Sequence, residues 1–405
     1  MKKFRVGMIG VGKRGVSLMA ATFATEDAII TAVCDLYPDR VEDAVKHIKE
    51  KYEIDAKGFV DYKELLADGD IDAVIVSSSW ESHSEIAIAA MRAGKPVGIE
   101  VGGAYSIDEC WELVKTYEET KTPFMFMENC CFDEFELLAT SLVRAGKLGT
   151  IVHCHGAYSH DLRDEILGGN VNRHYRLRNY MNRCCDNYPT HELGPIAKIL
   201  NINRGNRMLS LVSMASKSAG LEDFALTDKN PDPSLVGTRF AQGDIVTTII
   251  KCAGGETITL TLDTTLPKYY SREFTVRGTK GLANQEALMV SIEGECNTHN
   301  YWDNVKNTDK YVEYLPRIWR DITPEERELG HGGMDYMEFK AFFTALREGK
   351  EPPIDVYDAA SWMCISALSE ASIQAGGAPQ TIPDFTNGKW ILRKPLDVTE
   401  MPEVK

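Results

Sequence analysis

Three segments between residues 127 and 191 concentrate side chains able to move protons: Met127-Glu128-Asn129-Cys130-Cys131-Phe132, Gly156-Ala157-Tyr158-Ser159-His160-Asp161-Leu162-Arg163 and Tyr188-Pro189-Thr190-His191. A carboxylate, phenols, an imidazole and an arginine without a run of metal ligands suit general acid/base work beside a bound cofactor, and no metal is expected. His191 stands at a predicted helix start, where Thr190 is expected to cap and the helix dipole favours a neutral base. Tyr188 lies just before that start, Tyr158 follows a predicted strand, and Tyr270 sits in the loop after Pro267-Lys268. Arg176 and Arg178 stand two apart, so in an extended segment one faces a site and the other faces solvent. The pairs Cys130-Cys131 and Cys184-Cys185 lack the two-residue gap of structural zinc sites and read as buried thiols. His153 and His155 share a strand face, but no third ligand is spaced to join them.

These groups must be set against a cofactor, and the first residues supply its cradle. An apolar strand, Phe4-Arg5-Val6-Gly7-Met8-Ile9, turns through Gly10-Val11-Gly12-Lys13-Arg14-Gly15 into a helical stretch over 16–24. Gly10 permits the tight turn, Gly12 lets a pyrophosphate approach the backbone, and Gly15 lets the helix lie close on the strand. A second strand over 29–34 ends in Asp35, 20 residues after Gly15, where a carboxylate accepts from a ribose diol. Asp35 also repels a 2′-phosphate, and Leu36-Tyr37 offers no cation, so NAD is expected over NADP. Lys13 and Arg14 are expected beside the pyrophosphate, and Trp80 and His83 against the nucleotide. Glu128 ends a later strand over the expected nicotinamide, with Asn129 as its hydrogen-bonding neighbour.

The elements that carry these residues alternate. Strands are predicted over 73–76, 96–100 and 123–127, with helices over about 40–52, 82–93 and 106–120, the last opened by the capping-box pattern Ser106-Ile107-Asp108-Glu109. Such alternation implies an α/β chain with an N-terminal Rossmann domain, a doubly wound parallel sheet, over residues 1–150. Its ligand is expected at the carboxyl ends of the strands, so Gly10, Asp35, Ser77 to His83, Glu100 and Glu128-Asn129 should share one crevice. Residues 151–405 read as a second α/β domain. Strands over 208–215, 245–252, 257–263 and 273–276 predict an open, mostly antiparallel sheet whose open face covers that crevice. Residues 297–329 read as an irregular excursion, helices return over 336–347 and 356–374, and the stretch from Phe385 is expected along the surface.

The 405 residues carry a net charge of −15, which disfavours nucleic acid or an anionic membrane surface as partner. No apolar run spans a bilayer. Ten cysteines without framework spacing suit reduced thiols and a cytoplasmic location.

The chain resembles the Gfo/Idh/MocA oxidoreductases over nearly its whole length, and within them the NAD-dependent glycosidases typified by bacterial α-N-acetylgalactosaminidases. The three segments above carry the resemblance, together with Tyr175-Arg176-Leu177-Arg178, His191-Glu192-Leu193-Gly194-Pro195, Asn201-Ile202-Asn203-Arg204-Gly205, Tyr270-Ser271-Arg272, His331-Gly332-Gly333-Met334-Asp335 and Asp355-Val356-Tyr357-Asp358-Ala359-Ala360. Ordinary members place Glu-Lys-Pro where this chain has Glu100-Val101-Gly102, and a valine transfers no proton. The glycosidase branch shares the Val but follows it with Pro, and has Gly where this chain has Glu192. The resemblance implies a small-molecule glycoside substrate and a redox cycle through the sugar's C3 that leaves NAD unchanged overall. It implies proton transfer by His191, Tyr188, Tyr158, Tyr270 and Glu128, and substrate contacts from Arg176, Arg178, Pro189 and Thr190. Gly10, Gly12, Lys13, Arg14, Gly15, Asp35, Trp80, His83, Glu100, Val101 and Asn129 would hold the cofactor. An ordinary NAD-dependent sugar or inositol dehydrogenase and a non-catalytic NAD-holding sensor are the alternatives. By analogy with the fold class, the open sheet would mediate a homo-oligomer.

Overall fold

Short apolar runs separated by amphipathic helices assemble into six parallel strands: β1 (Phe4–Ile9), β2 (Ala28–Cys34), β3 (Lys57–Phe59), β4 (Ala73–Val76), β5 (Val97–Glu100) and β6 (Phe124–Met127). The structure, a computed structural model, describes residues 2–404. Every residue of β4, β5 and β6 is buried, as a parallel strand covered on both faces requires. The strand order is β3-β2-β1-β4-β5-β6, which reverses between β1 and β4 and opens a crevice at the carboxyl ends. Gly10, Asp35, Ser77 and Glu128 each follow one of these strands, and Glu100 ends another. The expected Rossmann fold is therefore present.

The helix Ile107–Thr120 begins as its sequence indicates, but only half of the capping box forms. Ser106 Oγ accepts from the Glu109 N–H at 3.2 Å, whereas the Glu109 carboxylate accepts from the Tyr105 N–H rather than from Ser106. The helix after β4 starts two residues earlier than its pattern suggests, at Trp80, and this places both Trp80 and His83 in its first turn.

A second sheet contains β7 (Ile151–Ser159), β8 (Met208–Ala215), β9 (Ile245–Cys252), β10 (Thr257–Asp263), β11 (Thr275–Gly278), β12 (Gly281–Asn284), β13 (Met289–Ile292) and β14 (Gln380–Thr381). Its order is β13-β12-β11-β7-β10-β9-β8-β14. All neighbours are antiparallel except the central pair β7 and β10. One expectation fails. The open face does not cover the crevice; the face covered by the helices Thr190–Ile199 and Val356–Gln374 turns toward it. Gly156 permits this, since a Cβ there would lie 2.6 Å from the Glu192 carbonyl oxygen. Tyr158 shares that face, and the opposite face exposes Met214 and Ile249.

Residues 297–329 form short helical turns, pinned where Trp319 Nε1 donates to the Phe132 carbonyl at 2.7 Å. The C-terminal stretch departs from its expected surface course at Phe385, which is buried against Trp111 with ring centres 4.7 Å apart. Leu392, further on, is exposed. Among the described residues no helix is long and apolar enough to cross a membrane.

Candidate functional site

Glu128 leaves β6 and caps the 3-10 turn Asn129–Phe132, where its Oε1 accepts the Cys130 N–H at 3.1 Å. The same oxygen lies 2.6 Å from His191 Nδ1. Gly194 makes room, because a Cβ there would meet Glu128 Cγ at 2.7 Å. Burial raises the Glu128 carboxyl, but the charge and hydrogen bond of His191 outweigh it and hold the group below its ordinary range. An ionised carboxylate only accepts, so Nδ1 is the nitrogen that donates to it, and in the neutral imidazole Nε2 is the nitrogen whose lone pair faces the site. The Tyr188 hydroxyl lies 3.4 Å from that Nε2.

Aromatic rings close around this pair. The Tyr158 ring centre lies 4.6 Å from Tyr188, 5.6 Å from His191 and 6.3 Å from Tyr270. The buried Arg176 guanidinium stands 5.2 Å from the Trp80 ring, 5.1 Å from Tyr188 and 5.9 Å from Tyr158. Its Nε is 3.1 Å from Glu165 Oε1, while Nη1 has no hydrogen-bond partner among the described residues. Burial raises the Tyr158 phenol and Arg176 draws it back; Tyr188 is raised further, again chiefly by burial. Arg272 donates from Nη1 to the Tyr270 hydroxyl at 3.0 Å and is itself held by Glu136 and Asp133.

Donor atoms of Glu128, Cys130 and His191 lie within 4.8 Å of one another. Burial pushes the Cys130 thiol well above its usual range, and Glu128 Oε1 is already engaged by His191 Nδ1 and the Cys130 N–H. The cluster is better suited to moving protons than to holding an ion.

The nucleotide cradle fits a dinucleotide. Gly10 has φ +90°, and a Cβ there would lie 2.5 Å from the Ser77 carbonyl carbon, while one on Gly15 would lie 2.1 Å from the Gly10 oxygen. No side chain caps the helix Lys13–Ala24, which leaves its first amides for phosphate oxygens. Asp35 is oriented by the Val11 N–H at 3.0 Å and the Tyr37 N–H at 3.1 Å. Trp80 Nε1 and His83 Nδ1 are buried and have no hydrogen-bond partner among the described residues, and burial lowers His83 to about 4, keeping it neutral.

Residues 133–392 match the C-terminal domain of glycosyl hydrolase 109, and residues 4–127 match the NAD-binding Rossmann fold of the Gfo/Idh/MocA oxidoreductase family. The chain belongs to the glycosyl hydrolase 109 family. It is 38% identical to an α-N-acetylgalactosaminidase of Tannerella forsythia over 414 residues, which span 96% of this chain and 88% of that protein. A glycosyl hydrolase family 109 protein of Parabacteroides distasonis is 37% identical over 97% of this chain and 89% of its own length. Among solved structures, levoglucosan dehydrogenase in complex with NADH and levoglucosan aligns with TM-score 0.70 at 18% identity, over 94% of this chain and all of the other (100%). Myo-inositol 2-dehydrogenase from Lactobacillus plantarum aligns with TM-score 0.67 at 17% identity, over 94% and 100% of the two chains. The dehydrogenases share the fold; the curated relatives share the family. This family 109 member is an NAD-dependent glycosidase built on an oxidoreductase fold.

Against that background, several residues of the family 109 chain sit differently from expectation. Arg14 is not free for pyrophosphate: it pairs with Glu100 at 2.8 Å and with Asp335 at 2.7 Å, beside His331. Asn129 spends an amide hydrogen on the same Asp335 at 2.8 Å. Lys13 is exposed. Although Leu36-Tyr37 carries no cation, Arg40 reaches within 3.9 Å of Asp35, and Arg173 stacks on Tyr37 at 4.3 Å. Arg176 and Arg178 lie on a helix, Arg176–Asn182, not an extended segment. Residues two apart on a helix still diverge, and Arg178 is exposed, paired with Glu81 at 2.8 Å. Thr190 makes no capping bond, because Pro189 before it is already helical (φ −74°, ψ −14°). Pro189 and Thr190 are buried beneath the site. Val101 is buried, and a Cβ on Gly102 would meet the Trp80 ring at 2.6 Å, which accounts for glycine in this chain. Of the cysteine pairs, Cys184 is only half-buried.

Sequence reasoning left out His160, whose ring centre lies 5.5 Å from Tyr270 and 6.5 Å from Tyr158. It also left out Tyr175, 4.7 Å from Trp80, and Arg272. Each stands one or two residues from a residue already singled out, a signal that was available. Asp335 stands four residues after His331, but what brings it to the site are Arg14 and Asn129, more than two hundred residues away.

Proposed function

We propose that this glycosidase cleaves a hexoside through reversible oxidation at C3, loss of the C2 proton, departure of the aglycone from C1 and addition of water. The observation that carries this reading is the Glu128–His191–Tyr188 array: a base whose far nitrogen is fixed by a buried carboxylate and whose near nitrogen faces a phenol. NAD bound in the crevice would take up a hydride from C3 and return it. Oxidation at C3 brings the C2 proton within reach of side-chain bases, provided the developing enolate is stabilised. His191 Nε2 accepts the proton, Glu128 stabilises the imidazolium, and the Tyr188 hydroxyl relays between Nε2 and the sugar. Arg176 Nη1, a buried donor with no hydrogen-bond partner among the described residues, takes a substrate oxygen, either the enolate or an N-acetyl carbonyl. The name of the Tannerella relative makes an N-acetylgalactosaminide the first substrate to test.

Turnover of a nitrophenyl glycoside in D₂O tests the cycle. The product should carry deuterium at C2, with no net NADH, and the matching thioglycoside should also be cleaved, because expulsion from the enolate relies little on leaving-group protonation. Protium alone at C2 would point to paired-carboxylate hydrolysis. NADH rising in step with sugar consumed would make the chain a dehydrogenase.

A further inference from the structure

Beneath the site lie two carboxyls that the mechanism does not use. Asp186 is 0% and Glu192 1% exposed. Among the described residues, both Asp186 oxygens and Glu192 Oε1 are without a hydrogen-bond partner of good geometry. Glu192 Oε2 accepts the Thr261 N–H of β10 at 3.1 Å, and the backbone of Tyr158 on β7 faces the same carboxyl. Asp186 faces Glu192 and the backbone of Tyr188. Its own peptide is pinned to the helix Val356–Gln374, donating to Ser369 Oγ at 2.9 Å and accepting from Ser366 Oγ at 2.6 Å.

Two bare carboxylates do not persist together in a buried site without a cation. The groups around them are the Cys185 thiol, the Ser366 and Ser369 hydroxyls, the backbone of β7 and β10, and His191, whose imidazole is engaged by Glu128. Among the described residues no lysine or arginine pairs with either carboxyl. One proton bridging the two acids joins an Asp186 oxygen to Glu192 Oε1 and so engages two of the three unpartnered oxygens.

We propose that Asp186 and Glu192 share a single proton as one buried acid pair, a positioning unit that fixes Tyr158, Tyr188 and His191 relative to one another. The proposal rests on the assignment of those three residues to proton transfer. The connections are short. Glu192 follows His191 on the helix and ties it to the strand end that carries Tyr158; Asp186 precedes Tyr188 by two residues.

Burial raises both acids, Asp186 to about 7 and Glu192 well above the carboxylate range. Because the folded values are raised, the pair's contribution is present below the unfolded carboxyl values and is lost as pH rises through the folded ones. Loss of the bridging proton sets two charges against each other under the helix start, and the site loosens.

Infrared difference spectra of the NAD-loaded protein test the pair itself. The wild type should show a protonated carboxyl C=O band that is shifted or lost in both Glu192→Gln and Asp186→Asn; a wild type without that band, or a band unchanged in both variants, overturns the proposal. Positioning is read from turnover. Glu192→Leu, which leaves the Thr261 N–H unpartnered, should lower kcat about tenfold or more, and Glu192→Gln should recover most of that loss. The alkaline limb of the kcat profile should move up by about one pH unit or more in Glu192→Gln, since the titrating pair is gone. An alkaline limb identical in the two proteins overturns the positioning role. The infrared band does not depend on the reaction class, whereas absence of deuterium at C2 would defeat the proposed cycle alone.

Discussion

Glu128→Gln separates the charge of the buried carboxylate from its shape. The amide oxygen can still accept from His191 Nδ1 and the Cys130 N–H, which the carboxylate meets at 2.6 and 3.1 Å. Fold and tautomer are kept, and what disappears is the negative charge that stabilises the imidazolium once Nε2 has taken a proton. A hydrogen bond to a charged partner contributes about 1.5–3 kcal/mol and a neutral one about 0.5–1.5. The transition state therefore loses roughly 1–2 kcal/mol, or about 5- to 30-fold in kcat. Screening does little to reduce this, because the Glu128 side chain is 0% and that of His191 12% exposed. Glu128→Ala removes the acceptor as well, stranding two buried donors, and should cost about 100-fold or more. Steady-state release of nitrophenol, with NAD binding measured in parallel by calorimetry, checks both variants. Because the Glu128 carboxyl is lowered in the fold, its contribution to stability is present above the ordinary carboxylate value of about 4.3 and lost as pH falls through the lower folded one. Thermal melts should show Glu128→Gln losing less stability than the wild type on acidification. Wild-type turnover in Glu128→Gln would refute the assignment of the carboxylate to the base.

His191→Ala should lower kcat by about 100-fold or more with NAD affinity nearly unchanged, and a variant at wild-type rate would reduce the histidine to scaffold. NAD should bind about tenfold or more tightly than NADP by calorimetry, because Asp35 meets a 2′-phosphate with like charge. Asp35→Ser should narrow or reverse that preference, since Arg40, 3.9 Å away, is then free to meet the phosphate; an unchanged ratio would remove Asp35 from the ribose site. Arg173 bridges to Asp39 at 2.7 Å and Arg40 to the Asn172 carbonyl at 2.8 Å, strapping the 172–173 segment over the Asp35 end of the crevice. Arg173→Ala should speed release of bound NAD in a stopped-flow chase, and an unaltered off-rate would show that the strap does not retain the cofactor.

Local physics made much of this chain legible from its residues. The parallel sheet follows from apolar runs too short for helices, Gly10 and Gly15 sit where tight backbone approach requires them, and Asp35 follows β2 at the crevice. The strands β8, β9 and β10 follow from the period of their side chains, and the phenols and His191 could be picked out because their residue types are suited to proton transfer and lie near element ends. Tertiary contact decided the rest. That Glu128 orients His191 depends on a contact across 63 residues, and no periodicity encodes which carboxylate will meet which imidazole. Arg14 looked free because its partners, Glu100 and Asp335, lie 86 and 321 residues away. The cation beside Asp35 and the Asp186–Glu192 pair stand close in sequence, five and six residues apart, and were hidden instead because burial and side-chain direction are set by packing, as is the turning of the helix-covered face of the second sheet to the site. A side chain's type limits the chemistry it can perform; its protonation and its partner are set by burial and by charges brought from elsewhere in the chain, and these exist only once the two sheets have packed.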